Sequence, residues 1–292
     1  MKRSGRPCSH SFRPGQPRTA ATLSGLTLIE ALVVLAIISI LLAILLPTIT
    51  NGPCSPSLTT TCRNNTKQLT LGWLIYASDN NDRLIANQPY SGLPEAPTNN
   101  WVRGVMDWSA NPQNTNVALL MEGKGGILAA YVKSWQPYHC PADQSASAAG
   151  PRVRSYSMNG FLGDPGQGQS MPGWRQFLKT ADVAQPSQRF VIIDEHANSI
   201  DDGYFFNNPA GTNQWLDLPA ARHNGGDGIS FADGHFEIHI WQEASTKQPV
   251  VPNALKRHVA VEPSHAEDLD WLLQRTTEPA ITNRQVIETK GL

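Results

Sequence analysis

Side chains able to do chemistry gather in a few places along the chain. Asp194 and Glu195 close an apolar stretch, and His223, Asp227 and Asp233 follow in a glycine-rich segment. If these groups converge at strand ends they make a mixed nitrogen and oxygen metal site. The simpler reading, preferred here, is that His223 and Asp233 fix local turns through backbone hydrogen bonds. A second set is His235, Glu237 and His239, alternate residues of a strand. Their side chains share one face about 6.6 Å apart, close enough to share a metal, although a solvated strand face is the preferred reading. A GxSxG elbow, a phosphate-cradling P-loop and an HExxH helix are all missing from the sequence. The chain is therefore expected to be no enzyme and to need no cofactor or metal.

The cysteines are Cys8, Cys54, Cys62 and Cys140. If Cys8 leaves with an N-terminal leader, an odd number remains in a disulfide-permissive compartment. One bridge and one free thiol is the simplest outcome, and spacing does not choose between Cys54–Cys62 and Cys62–Cys140. No CxxC pair occurs, which argues against a structural zinc site. Trp101, Trp108, Trp135 and Trp174 lie scattered among Gly, Pro and Asn. They offer either a sugar-binding platform or, more simply, the core of a loopy β domain.

The elements that must position these groups follow from composition and periodicity. A net charge of -1 over 292 residues excludes a nucleic-acid protein held by a basic surface. Glycine and proline, 23 and 22 residues, make the chain loop-rich. Residues 1–25 are basic and free of acids. The apolar run Leu26–Leu46 then gives a helix about 30 Å long, the thickness of a bilayer core. The basic residues before it place the N-terminus in the cytoplasm. Glu30 breaks this run. A carboxylate there is costly unless it sits at the headgroup level or meets a cation. Cutting the chain after Gly25 would supply one, the new α-amine of Leu26. Asn51–Pro56 breaks the helix. A second helix is expected over Thr60–Asp79, with Leu69, Trp73, Tyr76 and Ala77 on its apolar face. Strands are expected over 189–195, 228–232 and 235–241, the last two joined by the Asp233-Gly234 turn of a hairpin. The tail beyond Pro249 reads as peripheral, with a capping box at Ser264–Glu267 opening a short helix through Leu269, Leu272 and Leu273.

The residues Gly25-Leu26-Thr27-Leu28-Ile29-Glu30 and the apolar run after them resemble the prepilin cleavage and methylation signal of type IV pilins and type II secretion pseudopilins. The resemblance implies cleavage between Gly25 and Leu26, N-methylation of Leu26, and assembly guided by Glu30. A second resemblance joins His223 to Asp233-Gly234, the H-x9-DG signature of a group of prepilin-leader proteins. Asn64–Leu69 and Cys140–Asp143 are similar to internal pieces of that group. No activity comes with this likeness, and Pro53 and Pro56 depart from its unbroken N-terminal helix.

The expected fold class is α+β: an N-terminal transmembrane helix, then a pilin-like, loop-rich globular domain with a helix packed on an antiparallel β-sheet. The expected division is a leader over 1–25, a transmembrane and assembly helix over 26–50, an extracytoplasmic globular domain over 58–245 and an extension over 246–292. The expected function is a pilin-like structural subunit of a type II secretion pseudopilus or pilus-like fibre. It would be a single-pass inner-membrane protein with the globular domain in the periplasm. Its partners would be a prepilin peptidase, other pilin-like subunits, the inner-membrane assembly platform and membrane lipid, with no nucleic acid. The rival expectations are a tethered glycan-binding module and a metal-dependent hydrolase.

Overall fold

The computed structural model describes residues 27–45, 56–90, 99–121, 126–254, 256 and 258–280. Gly25, Leu26 and Cys54 lie outside them. The chain divides into two compact units, Met1–Thr50 and Asn51–Leu292, each considered by itself.

In the first unit, helix α1 runs from Leu28 to Leu45. Its start is a capping box: Glu30 N–H donates to Thr27 Oγ1 (3.3 Å), while Glu30 Oε2 accepts from Thr27 N–H (2.8 Å). Leu28, Ile29, Leu32, Val33, Leu35 and Ile37 are all exposed, so apolar side chains surround the helix rather than forming one stripe. The expected transmembrane helix over 26–50 is not found. Among the described residues, no helix is long and apolar enough to cross a membrane. As described, α1 has 18 residues, about 27 Å at about 1.5 Å per residue, and carries Glu30 in its first turn.

The second unit opens with α2, Pro56–Asp79. Pro56 sits in its first turn, where the missing N–H costs nothing, so the expected helix breaker is a helix start. Cys62, Thr66, Leu69, Trp73 and Ala77 recur at helical spacing and are buried. After α2 the chain is mostly loop and single turns of 3₁₀ helix, with a small hairpin of β1 (Ala146–Ser147) and β2 (Gly150–Pro151). The main sheet is built from β3 (Tyr156–Asn159), β4 (Phe190–Asp194), β5 (Tyr204–Phe205), β7 (Gly226–Phe231) and β8 (Phe236–Ile240), in the order β5-β3-β4-β7-β8. A two-stranded sheet pairs β6 (Gln214–Trp215) with β9 (Val259–Ala260). Helix α3, Glu267–Thr276, completes the unit.

The main sheet is mixed, not antiparallel as expected, because β5 pairs parallel to β3. From β4 the chain crosses back past β3 before pairing, and that crossover reverses its direction. The expected fold class is therefore corrected on two counts, the missing span and the mixed sheet.

Two cores form. One gathers Cys62, Leu69, Trp73, Trp101, Tyr138, Cys140 and Tyr156 with Val191 and Ile192. The other gathers Phe190, Ile193, Trp215, Ile229, Phe231 and Trp241 with Leu269, Leu272 and Leu273 of α3. The stretch beyond Pro249, expected at the periphery, thus supplies core. Its capping box does not form: Ala266 precedes α3 without a side-chain cap, and Glu243 Oε1 accepts from Glu267 N–H at 2.8 Å. Trp101 is fully buried, its indole N–H donating to Gly203 O at 2.9 Å, and Trp108 is covered by the Arg152 guanidinium at 4.6 Å. These positions serve packing rather than an open sugar platform.

Leu272 is fully buried in the second core. Leu272→Ala is expected to destabilise the protein by about 2–5 kcal/mol in denaturant unfolding. A loss below about 0.5 kcal/mol, the range of ordinary surface changes, would mean that α3 is not part of the core.

Candidate functional site

The periodicity of α2 turns Cys62 inward, toward the sheet. There β7 carries Gly228, and a Cβ at that position would stand 3.0 Å from Cys62 Sγ. Glycine is what lets the sulfur sit against the strand. Cys140 follows a 3₁₀ turn over Gln136–Tyr138 and donates its N–H to Ser155 Oγ at 2.8 Å. Helix α2 grips this turn as well, since Asn65 Nδ2 donates to the carbonyls of Gln136 (3.3 Å) and His139 (3.0 Å). His223 sits in the tight turn that leads into β7, exchanging backbone hydrogen bonds with Gly226 at 3.0 and 3.1 Å. Asn224 (φ 56°) and Gly225 (φ 82°) both adopt the left-handed conformation that this turn needs.

These three elements bring Cys62, Cys140 and His223 together, with one ligand atom of each lying within 4.8 Å of the others. Both cysteines are free thiols, and all three residues are buried. Cys140 Sγ lies 3.5 Å from His223 Nε2, and Thr59 Oγ1 lies 3.3 Å from His223 Nδ1. The Tyr156 hydroxyl sits 3.0 Å from Cys62 Sγ. The Cys140 thiol hydrogen-bonds Cys62 and, against the cost of burial, lowers the Cys62 pKa to about 6, with His223 helping. The same hydrogen bond and burial push the Cys140 pKa well above its ordinary value.

Charged groups frame the thiols. Arg222 pairs with Asp194 and, at 3.2 Å, with Asp143. Burial raises the Asp143 pKa, but Arg222 and then His139 outweigh it and the net shift is downward. Asp227 is wholly buried, and burial followed by the charge of Asp194 pushes its pKa well above the carboxylate range.

The structure regroups the residues singled out by sequence. His223 and Asp194 both border the thiol cluster. Asp233 does not: it lies at the opposite end of β7, about 20 Å of extended chain away. There it accepts from His235 N–H (3.0 Å) and Nδ1 (2.6 Å), and Gly234 (φ 89°) closes the hairpin. The His and Asp-Gly of the H-x9-DG signature thus serve the two ends of one strand. His235, Glu237 and His239 do not converge on a metal site. His235 stacks on Phe231 at 4.2 Å, and His239 lies under Trp271 at 3.6 Å, so the face expected to be solvated is partly covered by α3. Among the described residues, Cys62, Cys140 and His223 are the one group with metal-ligating geometry. Sequence reasoning missed it because Cys140 and His223 stand 83 residues apart and no CxxC spacing announces the site. A signal did exist: Asn64–Leu69, Cys140–Asp143 and the glycine-rich segment after His223 all meet there.

Glu195 belongs to a different cluster. Its carboxylate accepts from Ser157 Oγ (2.5 Å) and Ser199 Oγ (2.7 Å), and burial followed by Asp217 raises its pKa well above the ordinary range. Lys256 Nζ bridges Asp217 (2.8 Å) and Asp201 (3.0 Å). Asp202 accepts from Tyr90 N–H (2.6 Å) and Tyr204 N–H (2.7 Å). Burial, then the charge of Asp201, raises its pKa to about 7.

Comparison of the chain with protein-family models, with curated proteins and with solved structures finds no match.

The pH response of the carboxylate cluster follows from the sign of the Asp202 shift. A carboxyl whose folded pKa is raised keeps its full contribution below the unfolded value, about pH 4, and loses it as pH rises. The loss runs to about pH 7. Asp202→Asn is expected to remove a slope on the order of 1.4 kcal/mol per pH unit from the stability profile in that window. Urea unfolding of both proteins at several pH values checks this, and parallel profiles would refute it.

Proposed function

We propose that the chain is a pilin-like structural subunit, processed after Gly25 and assembled through α1 into a type II secretion pseudopilus or pilus-like fibre. The observation that carries the reading is α1 itself. Leu28, Ile29, Leu32, Val33, Leu35 and Ile37 are exposed on all sides of one helix, and apolar surface of that extent needs cover. In this reading parallel copies of the helix supply that cover within a fibre, and membrane lipid supplies it before assembly. Glu30 is the single acid of α1, and its carboxylate bonds to Thr27 at the helix start. Cleavage after Gly25 would place a positive α-amine on Leu26, one turn away. In a parallel bundle that amine could neutralise the Glu30 of a neighbouring subunit and set the axial stagger.

The partners in this reading are a prepilin peptidase, other pilin-like subunits and the inner-membrane assembly platform, with the second unit displayed on the extracytoplasmic side. The rival glycan-binding reading loses support because two of the tryptophans it needs, Trp101 and Trp108, are buried or covered. The hydrolase reading loses support because the residues it needs do not gather: Asp233 holds the hairpin turn with His235, Asp194 pairs with Arg222, and Glu195 is engaged by Ser157 and Ser199.

The test is the N-terminal sequence and mass of the mature protein from cells with an active leader peptidase. A chain starting at N-methylated Leu26 is the expected result, and a retained residue 1–25 segment would defeat the proposal. Glu30→Ala is expected to leave cleavage intact while lowering fibre incorporation about tenfold or more, equivalent to ~1.4 kcal/mol. Unchanged incorporation would remove the amine pairing from the account.

A further inference from the structure

We propose that Cys62, Cys140 and His223 form a binding site for a thiophilic metal cation, zinc in the first instance. The site lies wholly in the second unit and is independent of leader processing.

The geometry is close to what coordination needs. In a tetrahedral zinc centre with Zn–S of about 2.3 Å and Zn–N of about 2.0–2.1 Å, sulfur and nitrogen ligands stand about 3.6 Å apart. Cys140 Sγ lies 3.5 Å from His223 Nε2, and the ligand atoms of all three residues are within 4.8 Å of one another. A modest contraction about a central ion would bring these three donors to coordination distance and leave the fourth tetrahedral position open to water. The imidazole is oriented for the task. Its Nε2 faces the sulfur, while Nδ1 lies 3.3 Å from Thr59 Oγ1. An N–H on Nδ1 donating to that hydroxyl fixes the tautomer that leaves the Nε2 lone pair free for a metal.

The donor set selects the cation. Two thiolates and an imidazole favour zinc or copper(I) over calcium or magnesium, which seek oxygen. On binding, the cation replaces the two thiol protons, which leave to solvent, and two thiolates offset a divalent charge in a buried place. Gly228 supports the arrangement by leaving room for Cys62 Sγ, which a Cβ would approach to 3.0 Å. The alternative fate of two adjacent thiols is a disulfide. That bond would consume both sulfurs and leave His223 Nε2, aimed at them, without its sulfur partner in a buried site.

The experiment uses the full chain, purified without added chelator or reductant. Elemental mass spectrometry is expected to find about one zinc ion per chain, lost in Cys140→Ser and in His223→Gln. Copper in place of zinc supports the same site and reassigns the ion. Because those substitutions touch the core, Thr59→Val supplies the independent reading. It keeps all three ligands, and it is expected to weaken zinc binding about 10–100-fold in competition with a chromogenic chelator while the circular dichroism spectrum stays unchanged. A metal-free chain lighter by two hydrogen atoms, which takes up neither zinc nor copper(I) once reduced, overturns the proposal. So does a Thr59→Val variant that binds zinc as tightly as the parent.

Discussion

The second unit depends on how the polar atoms along the buried face of α2 are satisfied. A helix lying on a sheet usually presents an apolar stripe, but this one also buries Cys62, Asn65, Thr66 and Thr70. In a low-dielectric interior each unpaired polar group costs about 1–3 kcal/mol. The helix meets that constraint in two ways. Thr66 and Thr70 donate to the carbonyls one turn back, from Thr66 Oγ1 to Cys62 O and from Thr70 Oγ1 to Thr66 O, each at 2.9 Å. Two contacts reach across: Thr70 Oγ1 also lies 2.6 Å from Ser230 Oγ on β7, and Asn65 holds the turn before Cys140. These contacts set the height and rotation of α2 on the sheet. Through them they set where Cys62 meets Cys140 and His223.

The opposite face of the sheet is completed by chain that arrives late. Asn159 on β3 donates its side-chain amide to Phe190 O (3.0 Å) and Thr276 O (2.9 Å), joining the sheet to the end of α3. Asp268 near the start of α3 accepts from Gln242 N–H (3.0 Å) and Glu243 N–H (2.9 Å), which clamps the helix to the chain leaving β8. With Leu269, Leu272 and Leu273 inserted between them, these bonds make the last described helix a structural part of the domain. On edge strand β8, His239 is covered by Trp271 of α3, stacked at 3.6 Å.

Elements governed by local chemistry were legible in the sequence. The 3.6-residue recurrence of Leu69, Trp73 and Ala77 identified α2, and Asp233-Gly234 located the β7–β8 hairpin. What escaped was decided by distant partners. β5, β6 and β9 are two residues long, and no periodicity can mark a strand that short. The box at Ser264–Glu267 had the right residues, yet Glu243 captured the Glu267 N–H from 24 positions away. The apolar run near the N-terminus was read at full length, whereas α1 begins at Leu28 and carries Glu30 in its first turn.

The thiol cluster was invisible to spacing for the same reason, since its ligands come from a helix, a loop and a strand-entry turn. The resemblance to prepilin-leader proteins had grouped those fragments without saying why they belong together. Their convergence supplies a physical reason: one side chain from each of α2, the Cys140 turn and the His223 turn lies within 4.8 Å of the other two. A shared polar centre holds all three with few residues. Arg222, placed between Asp143 and Asp194, ties the Cys140 loop to β4 by charge. The sulfur and imidazole groups tie the same loop to α2 and β7. A loop-rich domain of this kind gains its order from such cross-links more than from regular secondary structure, because each one removes conformational freedom from segments that short strands alone leave loosely defined.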